Sequence, residues 1–217
     1  MQKFLFCGLL YFICAQSYFL LTEATTPEVC PEIVSRASWG ASAPLEADYI
    51  VIPVKNVIIH HTETPECTSK SQCSTRVKNI QRYHMENLEF HDIGYKCVKI
   101  KPQFVLCIIN NYDFSFLVGG DGRVYEGAGW HKVGAHARGY NDKSLGLAFI
   151  GDFKSELPFR KQLQAAKDLL QCGVELGELD RQYKLFGALQ VRPTDSPGMK
   201  LYREIKKWVH FTDSPPH

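Results

Sequence analysis

Residues 116–153 read FLVGGDGRVYEGAGWHKVGAHARGYNDKSLGLAFIGDF, and this stretch decides the fold. Phe116–Val118 is strand-like, Gly119-Gly120-Asp121-Gly122 supplies turn residues that tolerate positive φ, and Val124–Glu126 resumes the strand. That pattern predicts a hairpin. Residues 145–151, LGLAFIG, form an apolar run without alternation, as expected of a strand buried on both faces. Between the strands, GAGWHKVGAHARGYN is a loop rich in glycine, aromatic and hydrogen-bonding residues, a composition that usually lines a site.

Working outward, residues 56–61, NVIIHH, are a β-branched run that ends in two histidines. Strand ends are where side chains leave a core for a cleft. From 71 to 87 the pattern turns helical, with Val77, Ile80, Tyr83 and His84 expected on one face. Residues 158–176 read as a longer amphipathic helix with Pro158 in its first turn. Its apolar face is Leu163, Ala166, Leu169 and Leu170, and Gly177 is its stop. A short strand is expected over 184–187 and a last helix over 201–208, with Leu201, Tyr202, Ile205 and Trp208 inward. The arm from Cys30 to Asp48 carries SRASWGA, in which Trp39 is read as a packing anchor. Strands and helices interleave throughout. The expected class is α/β, a mixed central β-sheet flanked by about three helices.

The length suits one domain, and Lys plus Arg exceed Asp plus Glu by only two, 25 against 23. No strong field draws such a chain to nucleic acid or an anionic membrane. At the N-terminus, Lys3 precedes FLFCGLLYFICA, an n-region and h-region that predict a signal peptide over 1–24, cleaved after Ala15 or Ala24. A membrane anchor is the rival reading, since apolar residues continue to Leu21, but Gln16 and Ser17 interrupt the run. The expectation is therefore a secreted, extracellular protein with no membrane attachment after cleavage. Six cysteines then remain (Cys30, Cys67, Cys73, Cys97, Cys107 and Cys172), an even number that suggests disulfides in an oxidising compartment. No CxxC occurs to support a zinc cluster. GGDG lacks the Lys-Ser/Thr of a phosphate loop, and Asp121, Glu126 and Asp142 lack calcium-loop spacing.

VYEGAGW, GAHARGYN and SLGLAFIGDF together resemble the peptidoglycan recognition protein family, and residues from Val34 to His210 fit it apart from one interruption. The resemblance implies the fold of the N-acetylmuramoyl-L-alanine amidases over 30–212. It also implies innate-immune recognition and the pairings Cys30–Cys172 and Cys67–Cys73, which spacing alone leaves open.

Amidase members of that family hold a catalytic zinc, which needs about three protein ligands and one open position. Their ligands resemble the first histidine of an HH pair, a histidine at a strand end and the cysteine of a CPG turn. His60 matches the first, but the other two positions read Ala188, in FGALQV, and Ser196, in DSPG. Alanine has no donor atom and a neutral hydroxyl is a poor zinc ligand. The expectation is a binding protein that is not an enzyme and uses no cofactor, with zinc-dependent amidase as the alternative. Tyr95 assists hydrolysis in amidase members and also binds ligand in others, so it decides nothing.

What the resemblance implies instead is a groove for bacterial peptidoglycan or muropeptides, contacted by His61, Thr62, His84, Tyr95, His136 and Asn141, with Trp130 in the loop. Glu89-Phe90 stands where members preferring the diaminopimelate stem carry Gly-Trp, and Ala128 where they carry an arginine facing the extra carboxylate. These departures look most like the short secreted insect receptors upstream of Toll signalling, which favour the lysine-type stem. Partners of that class include other secreted recognition proteins.

The interruption lies at 96–115. The family joins Gly-Tyr to one polar residue and then FLVGG, whereas KCVKIKPQFVLCIINNYDF intervenes here. Its composition fits neither a solvated loop nor a turn. Reverse translation offers a GT donor at Lys96-Cys97 and an AG acceptor in Ser115, in frame, whose removal leaves Tyr95-Asn-Phe116. The segment is thus read as translated intron, the alternative being a loop closed by Cys97 and Cys107.

Overall fold

The computed structural model describes residues 30–44, 48–87, 97–101, 104–107 and 114–215. The expectations for the signal peptide, Glu89, Phe90 and Tyr95, and for the state of the Cys97 and Cys107 thiols, lie outside the described residues and side chains.

The elements in order are β1 (Ile33–Val34), α1 (Arg36–Trp39), β2 (Val54–His61), α2 (Lys70–Asn87), β3 (Cys97–Lys101) and β4 (Phe104–Cys107). There follow β5 (Phe116–Val118), β6 (Val124–Glu126), β7 (Leu145–Phe149), α3 (Arg160–Glu175), β8 (Leu179–Gly187) and α4 (Met199–Ile205). Six strands form one mixed sheet in the order β1-β6-β5-β7-β2-β8. Only β5 and β6 are antiparallel neighbours in it, joined by the expected hairpin, whose turn closes through Gly119 N–H donating to Arg123 O at 2.9 Å. Gly122 takes φ +85° there, a conformation an L side chain rarely adopts.

Alternation along the strands sorts the core into two sides. On the first, Val57, Ile59, Phe116, Leu145, Leu147 and Phe149 meet Ala166, Leu169 and Leu170 of α3 and Leu201 and Ile205 of α4. On the second, Leu117, Tyr125, Ala148 and Ile150 meet Trp39 of α1 and Cys73, Val77 and Ile80 of α2. Fully burying each such aliphatic side chain contributes ~2 kcal/mol. Helix α2 thus covers the β6-β5-β7 half of the second side. The β2-β8 half is left to the loop after β6, where Ala137 and Tyr140 pack on Ile58, Phe186 and Ala188. The junction between helix and loop positions the site.

Both long helices fall within two residues of their expected bounds, 158–176 being trimmed to Arg160–Glu175. Within α2 the buried stripe is Cys73, Val77, Ile80, Gln81 and His84, so Tyr83, expected inward, is 55 % exposed. Gln81 takes the inward place and clamps the N-terminal arm, accepting from Ser42 N–H at 2.9 Å and donating to Ser42 O at 3.1 Å. Strand β8 is nine residues rather than four, because its first half is a half-exposed edge whose polar residues carry little apolar signal. Disulfides Cys30–Cys172 and Cys67–Cys73 are both present, the first tying the arm to α3. The interruption forms β3 and β4, an antiparallel pair that places Cys97 opposite Cys107 in a two-stranded sheet of its own. Its end merges into the main sheet: Ala128 N–H donates to Phe114 O, and Gly146 N–H to the Ser115 hydroxyl.

Candidate binding groove

His60 and His136 meet on the second side of the sheet. His60 occupies the penultimate position of β2, opposite Ala148 of β7, and the β6–β7 loop brings His136 to within 3.3 Å, Nε2 to Nδ1. The protons can be assigned from the partners. His136 Nε2 faces the Ser144 carbonyl at 3.3 Å, which only accepts, so that nitrogen carries the proton. His136 Nδ1 is then the acceptor for His60 Nε2–H. Both rings are fully buried. Burial, joined by the nearby Arg192 guanidinium, pushes His136 down to about 4 against the Ser144 hydrogen bond, and holds His60 well below the usual imidazole range. The pair is neutral at physiological pH.

The loop that delivers His136 is shaped by Asn141, whose side-chain oxygen accepts from His136 N–H at 2.9 Å and Ala137 N–H at 2.7 Å. Arg192 donates to His136 O at 3.2 Å, and Gly146 provides the space beneath, since a Cβ there would sit 2.6 Å from the imidazole. Phe114 lies beside the pair, its ring 5.2 Å from that of His60, and Ala188 packs with Ile58 and with Ala137, the residue after His136. Half-buried Tyr140 and Val191 pack against the cluster of Ile58, Ala137, Phe186 and Ala188, with half-buried Arg192 and exposed Arg138 at the surface beside it.

Not every expected residue belongs here. His61 follows His60, so alternation turns it to the other side. Its Nδ1 accepts from Phe153 N–H at 3.1 Å, and its ring lies 6.4 Å from Phe153. Trp130 is likewise on the α3 side, 4.6 Å from Phe116 and against Gly173, filling a core gap rather than facing ligand. Thr62 sits at the strand end, its hydroxyl accepting from Gly151 N–H at 3.1 Å and bonded to Thr64. His84 is buried on α2, and Ala128 is 9 % exposed beside Phe114. The sequence reading missed Phe114. The available signal was its spacing: Phe114-Ser115 stands directly before FLVGG, where the family pattern has an aromatic and then a polar residue.

The zinc of the amidases does not fit this donor set. Ala188 presents a methyl group, the Ser196 hydroxyl accepts from His61 N–H at 3.1 Å, and the two histidines are bonded to each other. Among the described residues no group of three or more His, Cys, Asp or Glu converges on a point that would hold a metal.

A mixed six-stranded sheet carrying a buried histidine pair on the side covered by α2 defines an amidase-like fold. Residues 51–199 match the family model described as N-acetylmuramoyl-L-alanine amidase. Peptidoglycan-recognition protein 2 of Holotrichia diomphalia is 53 % identical over 186 residues, covering 86 % of this chain and 89 % of the relative. The structure of Drosophila peptidoglycan recognition protein SA superposes with a TM-score of 0.75 at 44 % identity, over 87 % of this chain and 97 % of that one. Peptidoglycan recognition protein LE, solved in complex with tracheal cytotoxin, a monomeric diaminopimelic acid-type peptidoglycan, gives 0.73 at 39 % identity, over 83 % and 95 %. The chain belongs to the peptidoglycan recognition protein family.

Proposed function

We propose that the protein is a secreted innate-immune receptor that binds bacterial peptidoglycan in this groove and does not hydrolyse it. The observation that carries the reading is the donor set around His60: a bonded, neutral histidine pair, with Ala188 and a Ser196 hydroxyl already engaged by the backbone. Hydrolysis of an amide by this fold needs a metal-activated water, and one imidazole is too few ligands to hold the metal. Binding needs only shape and neutral donors and acceptors, which suit a ligand of sugar hydroxyls and peptide amides. The complex of the LE protein with a monomeric peptidoglycan supports the same ligand class here.

Within this reading the buried residues form the floor and the half-buried ones make contact. His60, His136 and Ala188 set depth, and half-buried Tyr140, Val191 and Arg192, with exposed Arg138, lie at the edge, where Asn141 holds the loop in shape. The family resemblance also assigns ligand contacts to Glu89, Phe90 and Tyr95, which lie outside the described residues. Secretion is supported by two disulfides, which persist in oxidising compartments. Among the described residues no helix is long and apolar enough to cross a membrane.

Ala128 favours the lysine-type stem, because a methyl group offers no partner for the second carboxylate of diaminopimelate. Calorimetry with the two muropeptides tests this: the lysine form binds more tightly, and Ala128→Arg moves the preference toward diaminopimelate by ~1–3 kcal/mol. A clear preference of the unsubstituted protein for diaminopimelate contradicts it.

A further inference from the structure

A second concavity lies away from the groove, where β8 meets α3 and the turn that follows α4. It encloses about 500 Å³, the size of a small-molecule site. Leu170 and Val174 of α3 give it an apolar wall, and Trp208 closes one end with the Lys167 ammonium 5.0 Å over its ring. Tyr183 of β8 forms the floor and stacks on His210 at 4.3 Å.

Two features of this lining point to a ligand. Tyr183 is 7 % exposed overall, and its hydroxyl, which makes no hydrogen bond among the described residues, is not sealed within the protein and is available to donate into the cavity. Burial pushes that phenol up to about 12, so it remains a donor at any physiological pH. The second feature is charge. Lys207 is matched by Glu204 at 2.9 Å, but Arg181 is exposed at the mouth without an ion pair among the described residues, and Lys167 lies over the Trp208 ring, feeling the Glu204 carboxylate without a direct ion pair to it. The one carboxylate in the lining, Asp168, accepts from Gln164 Nε2 at 2.7 Å.

We infer that this cavity is a binding site for a small organic anion with an apolar body, a carboxylate or phosphate monoester carrying a ring or short alkyl group. The anionic end lies between Arg181 and Lys167 and accepts from the Tyr183 hydroxyl, and the apolar body lies along Leu170, Val174 and the edge of Trp208. Neither the groove residues nor peptidoglycan enters into this assignment.

Phenyl phosphate is a suitable probe, followed by calorimetry and by Trp208 fluorescence on the full secreted chain. It binds saturably at one site. Inorganic phosphate, which has the charge alone, and benzyl alcohol, which has the ring alone, each bind at least about tenfold more weakly. Tyr183→Phe removes the hydroxyl and keeps the ring, and Arg181→Ala removes the exposed cation. Each lowers affinity about tenfold, leaving the melting temperature and muropeptide binding unchanged. Binding indifferent to either substitution, or no saturable binding at millimolar probe, overturns the assignment.

Discussion

Acidification should loosen the floor of the groove, and the size of the effect follows from His136. The imidazole titrates near 6.5 in the unfolded chain and at about 4 in the folded one. The folded state therefore binds fewer protons between those values, and stability is lost as pH falls through that window. For this one group the loss between pH 7 and pH 5 is about 2 kcal/mol, and it approaches its limit below pH 4. His60 acts in the same direction, since its proton affinity is lowered by the same burial. The comparison is unsubstituted protein against His136→Gln, which keeps a donor and an acceptor but does not titrate. Urea unfolding of both at pH 7 and pH 5 isolates the effect: the unsubstituted protein loses about 2 kcal/mol more than the variant over that interval. Equal pH dependence in the two proteins would refute the neutral, buried pair on which the groove floor is built.

Three further outcomes are expected. Ala188→His combined with Ser196→Cys supplies the two donors that His60 lacks, so the doubly substituted protein binds zinc in competition with a chromophoric chelator, whereas the unsubstituted protein does not. Cys30→Ser with Cys172→Ser opens a link spanning 142 residues and lowers unfolding free energy by ~2–5 kcal/mol, read from denaturant midpoints. Peptide mapping of the secreted protein addresses the interruption. The intron reading predicts the junction Tyr95-Asn-Phe116, and a peptide containing Phe104–Cys107 contradicts it.

The sheet and the long helices were legible because their signals are local. Residues 116–126 carry their own turn, LGLAFIG is buried throughout, and α3 repeats its apolar residues at helical spacing. The groove was legible in part. NVIIHH announces a strand that ends in histidines, but adjacent strand residues face opposite sides, so only one of the pair can reach His136. Family motif matching favoured both His60 and His61, and period-two geometry assigns His61 to Phe153. Trp130 reads as a ligand-facing ring because it sits in a glycine-rich loop. Its partner is Gly173, which lies 43 residues further along, and no local pattern reports that contact. Phe114 was masked by the intervening segment, although its spacing to FLVGG was visible. The half-exposed start of β8 was missed for a different reason: an edge strand needs little apolar content to pair.

Binding without hydrolysis is tested most directly by incubating the purified protein with insoluble peptidoglycan and zinc. The pellet is then assayed for protein, and the supernatant is analysed by mass spectrometry for free stem peptide. The account predicts protein in the pellet and no stem peptide released over buffer alone. Zinc-dependent release of stem peptide, or protein that stays in the supernatant, would contradict it.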